Sequence, residues 1–225
     1  MLGQQDAMPP RGELAAKLYT AVLSDVLDGL GLRSQAMRPF VRPLDEGLVL
    51  VGRARTGLYA PRYHVEPGHN PYALEIALID DLRPGEVPVL ACGGPTDRIA
   101  PWGELLATAC VARGAAGCVT DGLVRDVRQI RAMGFPVFHG GIGPLDSKGR
   151  GEMVAVDVPV EVAGVRVESG DLVFGDVDGL VVVPAGVAGE AVRLALAKVA
   201  AEDRTREMLT AGRKLADVFD ELGVL

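Results

Sequence analysis

The chain has 225 residues, a length that suits one domain with a substantial hydrophobic core. Apolar residues make up 48% of it and charged residues 24%, with a formal net charge of -7, which is ordinary for a globular protein. Phosphate contacts need clustered lysine and arginine, so this acidic balance argues against a nucleic acid as the main partner.

Cysteine use and the first residues bear on the cellular compartment. Cys92, Cys110 and Cys118 form neither a CxxC pair nor an even disulfide set, which favours a reducing compartment. The start, MLGQQDAMPPRGE, has no apolar signal core, and no later apolar run approaches the roughly 18 residues of a membrane span. We therefore expect a cytoplasmic protein without a membrane partner.

Apolar periodicity predicts the elements of the first third of the chain. Apolar residues between Glu13 and Leu30 recur every three to four positions, which predicts one amphipathic helix closed by glycine. GLVLVGRARTGLYA, residues 47–60, alternates and predicts strands joined by a turn or bulge. A second helix is predicted over residues 71–82, and a short buried strand over residues 87–91.

The segment after the loop CGGPTDRIAP alternates between helix and strand. A third helix is predicted to begin near Trp102 and to end at Gly114, with Glu104 in its first turn. The strand AGCVT follows, and TDG turns the chain into a fourth helix that carries Arg125 and Asp126. This alternation favours an α/β layered arrangement.

The last part is predicted to be rich in strands and to end in a long helix. FPVFHGG predicts one strand, and VAVDVPVEVAGVRVESGDLVFGDVDGLVVVP predicts several more, separated by Gly and Asp turns. Residues 188–211 predict a helix longer than one small domain needs to cover its core. We expect its outer half to contact another subunit.

Three side chains of the central segment could form one site. On a surface, an Arg-Asp pair such as Arg125-Asp126 is most often a simple ion pair. Here the pair follows a strand and a turn, at the end of a strand where α/β layers leave ligand crevices. Gly103 lets backbone N–H groups of the preceding helix approach an anion. Because an arginine can grip a carboxylate while an acid holds a hard cation, Glu104, Arg125 and Asp126 predict a metal-plus-carboxylate site.

These residues resemble the RraA-like family, which includes 4-hydroxy-4-methyl-2-oxoglutarate aldolases, oxaloacetate decarboxylases and regulators of ribonuclease E activity. The resembling segments are TAVLSDVLDGLG, VGRARTG, WGELLATACVARGAAGCVTDGLVRDVRQI, FPVF and GDLVFGDVDGLVVVP. Catalytic members show an acid, twenty residues and then Arg-Asp, the spacing of Glu104 and Arg125-Asp126. The resemblance implies a layered β/β/α swivelling-type fold in one domain, residues 1–225. Its parts would be an N-terminal helix over 11–31, an α/β core over 33–185 and a C-terminal helix over 186–213.

The resemblance also implies roles for individual residues. Asp126 is implied to be the direct protein ligand of a divalent cation, Mg²⁺ or Mn²⁺. Arg125 would bind the pyruvoyl end of the substrate and stabilise the enolate. The substrate carboxylate would be held by backbone N–H groups, which belong to Gly103, Glu104, Leu105 and Leu106.

Two acids have further implied roles. Glu104 would orient a water on the cation, and it stands where the best-studied aldolases carry Asp, which bears on substrate choice. Glu202, on the terminal helix, would reach the site of a neighbouring subunit in a homotrimer or a dimer of trimers. Trimer versus hexamer, and Mg²⁺ versus Mn²⁺, stay open.

Enolate chemistry favours the metal route. Breaking the bond beta to a ketone leaves charge on oxygen, which needs a Lewis acid or a Schiff base formed by a buried lysine. All four lysines lie outside the segment from Glu104 to Asp126; they are Lys17, Lys148, Lys198 and Lys214. The positions of the lysines favour a metal-dependent lyase. The resemblance implies that it cleaves 4-hydroxy-4-methyl-2-oxoglutarate, decarboxylates oxaloacetate or does both, giving pyruvate.

Other functions have weaker support in the sequence. A noncatalytic regulator that binds a ribonuclease is the main alternative. A methyltransferase is disfavoured because no GxGxxG precedes a helix. His64, His69 and His139 lack metal-ligand spacing, and Trp102 is expected to be a core or interface anchor.

Overall fold

The computed structural model describes residues 8–223 of the chain. Within that range the α-helices are α1 (Arg11–Lys17), α2 (Thr20–Gly29), α3 (Ala73–Asp80), α4 (Glu104–Ala112), α5 (Val127–Ala132), α6 (Ala188–Thr210) and α7 (Leu215–Leu222). A 3₁₀ turn, Ala185–Val187, leads into α6. Residues 1–7, on which the expectation of no signal segment partly rests, lie outside the described range.

The strands fall between these helices and after them. They are β1 (Arg42–Pro43), β2 (Leu50–Pro61), β3 (Glu86–Ala91), β4 (Cys118–Thr120), β5 (Leu123–Val124), β6 (Val137–His139), β7 (Gly141–Ile142), β8 (Gly151–Val156), β9 (Val160–Val162), β10 (Val165–Val167), β11 (Leu172–Asp176) and β12 (Gly179–Val183). The main sheet has the order β1-β6-β4-β3-β2-β11-β12, and β8 also pairs with β2. Its centre, from β2 through β3 and β4 to β6, is parallel, and the outer pairs are antiparallel.

The main sheet is nearly closed. Arg42 on β1 donates hydrogen bonds to the carbonyl oxygens of Val177 and Asp178, in the turn between β11 and β12. The β9–β10 hairpin places Val160, Val162, Val165 and Val167 in the enclosed core. Helices cover the outside, and this mixed α/β architecture confirms the predicted fold class.

Two further hydrophobic clusters attach the helices to the sheet. One joins α1, α2 and α6 to β11 and β12, and the other joins α3, α4 and α5 to β3, β4 and β6. The second cluster contains Trp102, stacked on Phe135 with ring centroids 6.3 Å apart. Trp102 is therefore a core anchor, as its sequence context predicted.

The predicted helix between Glu13 and Leu30 is wrong in one respect, because the structure has two helices there. The backbone is extended at Leu18 and Tyr19. The carboxylate of Asp176, the last residue of β11, accepts hydrogen bonds from the Thr20 N–H at 2.8 Å and the Thr20 hydroxyl at 2.6 Å. This distant carboxylate satisfies the start of α2, a contact that periodicity cannot reveal. Both helices pack on the same cluster, so the apolar spacing persists across the break.

Other boundaries differ more mildly. The region predicted as strands joined by a turn or bulge over 47–60 is the single strand β2, and its pairing with β8 has a bulge-like register shift between Leu58 and Tyr59. The predicted long terminal helix is confirmed as α6, and beyond Ala195 its only buried residue is Thr205. Between residues 8 and 223, no helix combines the length and apolar character that crossing a bilayer demands.

Candidate functional site

The site forms where the segment before α4 pairs with the segment after β5. Trp102 forms a parallel bridge with Val124, and the Arg125 N–H donates to the Trp102 carbonyl oxygen at 3.0 Å. This pairing places Gly103, the residue before α4, directly beside Arg125 and Asp126. Backbone hydrogen bonds therefore bring Glu104 and the pair Arg125-Asp126 together, although twenty residues separate them in the chain.

Arg125 and Asp126 precede α5, so the prediction that a helix carries them is wrong. Asp126 has φ 60° and ψ 33°, the left-handed region that aspartate and asparagine tolerate better than most residues. In this conformation its Oδ2 accepts the Glu104 N–H at 3.1 Å. The Asp126 carboxylate thus caps the N-terminus of α4, where the helix dipole favours negative charge.

The pocket beside this pair has a volume of about 410 Å³. Of the residues predicted from the sequence, Gly103, Leu105, Leu106, Arg125 and Asp126 line it. Further polar lining comes from residues that the sequence analysis did not select, which are Tyr72, Glu75, Asp146 and Ser147. A second pocket of about 430 Å³ lies between α1 and β2, but its lining holds neither aspartate nor histidine.

Two predicted acids lie elsewhere in this single chain. Glu104 belongs to α4, but its carboxylate accepts the Thr108 hydroxyl at 2.7 Å and is not part of the pocket lining. Glu202 on α6 accepts a short hydrogen bond from the Tyr19 hydroxyl and is also absent from the lining. The structure therefore brings together the backbone of residues 103–106, Arg125 and Asp126.

The Arg125 guanidinium keeps its donors available. Its nearest acidic atoms are Oδ2 of Asp126 at 3.8 Å and Oδ1 of Asp146 at 3.7 Å, both too long for hydrogen bonds. The Arg125 side chain is 39% exposed. A ligand carboxylate entering the pocket would therefore meet a guanidinium that has no competing hydrogen bond from these acids.

Asp146 is fixed opposite Arg125. Its Oδ2 accepts the Tyr72 hydroxyl at 2.7 Å. Burial opposes its ionisation, but the Tyr72 hydrogen bond and the Arg125 charge outweigh burial and hold the pKa of Asp146 below its usual value. Burial, then the hydrogen bond to Asp146, raise the pKa of Tyr72 to about 12. Tyr72 therefore stays a hydrogen-bond donor at neutral pH.

A buried acid directly after β4 holds the loop that leads to α4. Asp121, 1% exposed, accepts the Cys92 N–H at 2.6 Å and the Gly94 N–H at 2.7 Å. Burial raises the pKa of this carboxyl. These bonds fix the loop after β3 against the end of β4, and that loop leads directly to α4.

The oxygen donors of the pocket suit a divalent cation that keeps most of its waters. Between residues 8 and 223, no three His, Cys, Asp or Glu residues converge as a protein-only metal centre. Mg²⁺ needs only one or two carboxylates, with waters completing its shell. Asp126 is 41% exposed, and the Glu104 N–H occupies Oδ2 while leaving Oδ1. Its hard oxygen donors fit such a cation.

Residues 20–182 match the model of the RraA-like family, which is described as Aldolase/RraA. The chain belongs to the RraA-like family. A Halalkalibacterium halodurans protein with a provisional name as 4-hydroxy-4-methyl-2-oxoglutarate aldolase is 34% identical over 188 residues, which cover 84% of this chain and 82% of that protein. Protein DlpA of Legionella pneumophila is 29% identical over 218 residues, 97% of this chain. The chain spans only 34% of the length of DlpA.

A solved structure supports the same family. Streptomyces coelicolor RraAS2, described as an unusual member of the RNase ES inhibitor RraA protein family, superimposes with a TM-score of 0.75. It is 31% identical, and the match covers 88% of this chain and 98% of that one. The RraA-like resemblance drawn from the sequence is thus confirmed, and relatives in this family include proteins named as aldolases and as ribonuclease inhibitors.

Proposed function

We propose that this RraA-like protein is a divalent-metal-dependent carbon–carbon lyase that releases pyruvate from a short 2-oxo dicarboxylate. The supporting observation is the convergence of Arg125, Asp126 and the N-terminus of α4 in one pocket. The aldolase names of relatives point to the same reaction class. Candidate substrates are 4-hydroxy-4-methyl-2-oxoglutarate and oxaloacetate, because both reactions pass through the pyruvate enolate.

The first turn of α4 binds the substrate carboxylate. The N–H groups of Leu105 and Leu106 have no acceptor within their helix, and both residues line the pocket. The Glu104 N–H is occupied by Asp126, so the anion is held by its neighbours. A carboxylate at this position also gains from the helix dipole.

Arg125 orients the 2-oxo group. Its guanidinium presents a planar fork of donors, which suits a carboxylate and the adjacent keto oxygen. When the carbon–carbon bond breaks, negative charge grows on that oxygen, and a fixed positive group stabilises it more than it stabilises the ground state. Asp126 would hold a divalent cation, which would supply Lewis-acid charge to the developing enolate.

The assay for this proposal follows pyruvate through lactate dehydrogenase. We expect pyruvate release from 4-hydroxy-4-methyl-2-oxoglutarate, from oxaloacetate or from both with Mg²⁺ or Mn²⁺, and its loss with EDTA. Rates without protein are subtracted because divalent cations decarboxylate oxaloacetate unaided. Turnover that persists after chelation would contradict the metal requirement.

A control addresses the Schiff-base route. Lys148 is exposed but directly follows Ser147, which lines the pocket, so folding brings a lysine nearer than the sequence analysis expected. Lys148→Met should retain turnover, and borohydride with pyruvate should leave the protein unmodified. A borohydride adduct at Lys148 would show that the reaction proceeds through a lysine iminium and would contradict the metal route.

We also propose that the site is completed in a homotrimer or a dimer of trimers. Leu105 and Ile76, at the pocket, are 79% and 45% exposed in the single chain, so apolar surface beside the site lacks cover. Glu202 is absent from the lining of its own chain's pocket and is assigned to a neighbour's pocket. Light scattering should give three or six chains per particle, and a monomer at micromolar concentration would refute the shared site.

A second candidate function is inhibition of a ribonuclease. The description of the Streptomyces relative as a member of an RNase ES inhibitor family favours it. Inhibition of an RNase E-type enzyme, together with no turnover of either 2-oxo acid at any divalent metal, would select this function over the lyase.

A further inference from the structure

Glu75 is a buried acid in the pocket that the proposed mechanism does not use. It lies on α3, within the apolar run ALEIALID, and is 8% exposed. It nevertheless lines the same pocket as Arg125 and Asp126. Burying a carboxyl costs free energy unless it gains partners, so a core position of this kind needs an explanation.

One partner holds Glu75 in place. The hydroxyl of Tyr59, a residue 5% exposed, donates a short hydrogen bond to Oε2 of Glu75. Tyr59 follows the register shift in β2, which turns this strand relative to β8. No residue between 8 and 223 donates a hydrogen bond to the other oxygen, Oε1. Tyr59 thus fixes the carboxyl and leaves one oxygen for the pocket.

We propose that Glu75 is the acid that protonates the pyruvate enolate, an inference that rests on the lyase function proposed above. Cleavage leaves an electron pair shared between C3 and the keto oxygen of the enolate. The Glu75 carboxyl gives its proton to C3, a C–H bond forms, the O–H bond breaks, and pyruvate leaves. The resulting carboxylate recovers a proton from water.

The surroundings of Glu75 suit this task. The pKa of Glu75 is raised to about 6. Burial is the largest cause and the Asp146 charge acts in the same direction, whereas the Tyr59 hydrogen bond and the Arg125 charge oppose the rise. A general acid works best with a pKa near the operating pH. The titratable or charged groups facing Glu75 are Tyr59 on β2, Tyr72 before α3, Cys92 after β3, Arg125 before α5 and Asp146 after β7. Strand β8 also packs on α3, and its buried residue in the shared hydrophobic cluster is the apolar Met153.

The test isolates proton transfer at C3 by following exchange of the pyruvate methyl hydrogens in D₂O by NMR, with protein and Mg²⁺. In this direction the Glu75 carboxylate removes the proton. Glu75→Gln should slow exchange between about tenfold and a hundredfold. This loss is small for a positioned general acid because water can also exchange a proton with C3 of the enolate. Glu75→Asp should restore part of the rate, and the exposed Glu190→Gln is the matched control that leaves it unchanged.

The pH profile separates chemistry from packing. Exchange should fall as the pH drops through about 6, because protonated Glu75 cannot accept the C3 proton. Tyr59→Phe removes a hydrogen bond that favours the ionised carboxyl, so the midpoint should move to higher pH. A purely structural role would lower the rate without moving the midpoint.

Two measurements do not depend on turnover. Trp102 is the only tryptophan and lines the pocket, so its fluorescence reports binding of oxalate, a planar enolate analogue, with affinity expected within about threefold in Glu75→Gln. Infrared difference spectra of the metal-free protein should show a carboxyl titrating near pH 6 that is missing in Glu75→Gln. If that carboxyl band is absent, Glu75 is not the acid.

The outcomes distinguish the role of Glu75 from the lyase function on which it depends. Wild-type exchange that persists unchanged in Glu75→Gln overturns the role of Glu75 and leaves the lyase standing. Wild-type protein that neither exchanges pyruvate nor cleaves either substrate overturns both.

Discussion

Asp126→Asn is expected to lower kcat/KM for pyruvate release by roughly a thousandfold, the upper range for loss of one electrostatic contact to a developing oxyanion. Asparagine tolerates the left-handed conformation at φ 60° and still offers an oxygen to the Glu104 N–H. The substitution therefore removes the negative charge and keeps the backbone. Calorimetric titration with Mn²⁺ should show the binding heat of the wild type disappearing.

Asp126→Ala, compared with Asp126→Asn, separates the loss of charge from the loss of backbone and helix-cap stability. It loses the same charge, but it also places alanine in the left-handed region and removes the cap on α4. These losses should cost about 1–2 kcal/mol of unfolding free energy, measured in urea, whereas Asp126→Asn should cost much less. If Asp126→Asn turned over within threefold of the wild type and bound Mn²⁺ equally well, Asp126 would not be the metal ligand.

The sequence contained enough to predict which residues form the centre of this pocket. The spacing from Glu104 to Arg125-Asp126 crosses the helix α4 and the short strands β4 and β5, and in a parallel α/β layer a helix-strand unit returns to the same end of the sheet. The bridge between Trp102 and Val124 is that return. Local pattern and layer geometry were sufficient here because each step is short and regular.

The remaining lining could not be predicted for a physical reason. Tyr72 directly precedes α3, Glu75 lies on α3 and Asp146 lies in the loop after β7, and tertiary packing alone brings them to Arg125. One local signal existed, since Glu75 is the one acid among the apolar residues from Ala73 to Ile79. A carboxyl in such a run is either solvent-facing or functional, and only coordinates distinguish the two.

The direction of the Glu104 side chain shows a similar limit. Its place in the chain predicted a carboxylate at the pocket, and the backbone of Glu104 does lie at the start of α4. The side chain instead turns along the helix to Thr108, four residues later. The four-residue spacing to Thr108 also predicts this local hydrogen bond. Spacing alone does not decide whether the Glu104 carboxylate turns to Thr108 or to the pocket, because both are within its reach.

Gly103→Ala is expected to lower kcat/KM about a hundredfold while leaving the fold intact, because displacing catalytic groups by about 1 Å costs that much. Gly103 has φ -149° and ψ -176°, an extended conformation that alanine also adopts, so the backbone is not strained. An added Cβ would lie 2.7 Å from Oδ2 of Asp126 and 3.2 Å from Nε of Arg125. Both side chains must therefore move away from the start of α4.

The matched control is Gly186→Ala, where an added Cβ meets no heavy atom within 4 Å. Gly186→Ala should unfold at the wild-type temperature. Gly103→Ala should unfold slightly lower, because the half-exposed side chains of Arg125 and Asp126 can move aside but the Asp126 cap on α4 is weakened. Only Gly103→Ala should weaken Trp102 fluorescence changes with oxalate. Full turnover in Gly103→Ala would mean that the close approach of the Asp126 carboxylate to α4 is not required, and the geometry that supports the lyase would lose its basis.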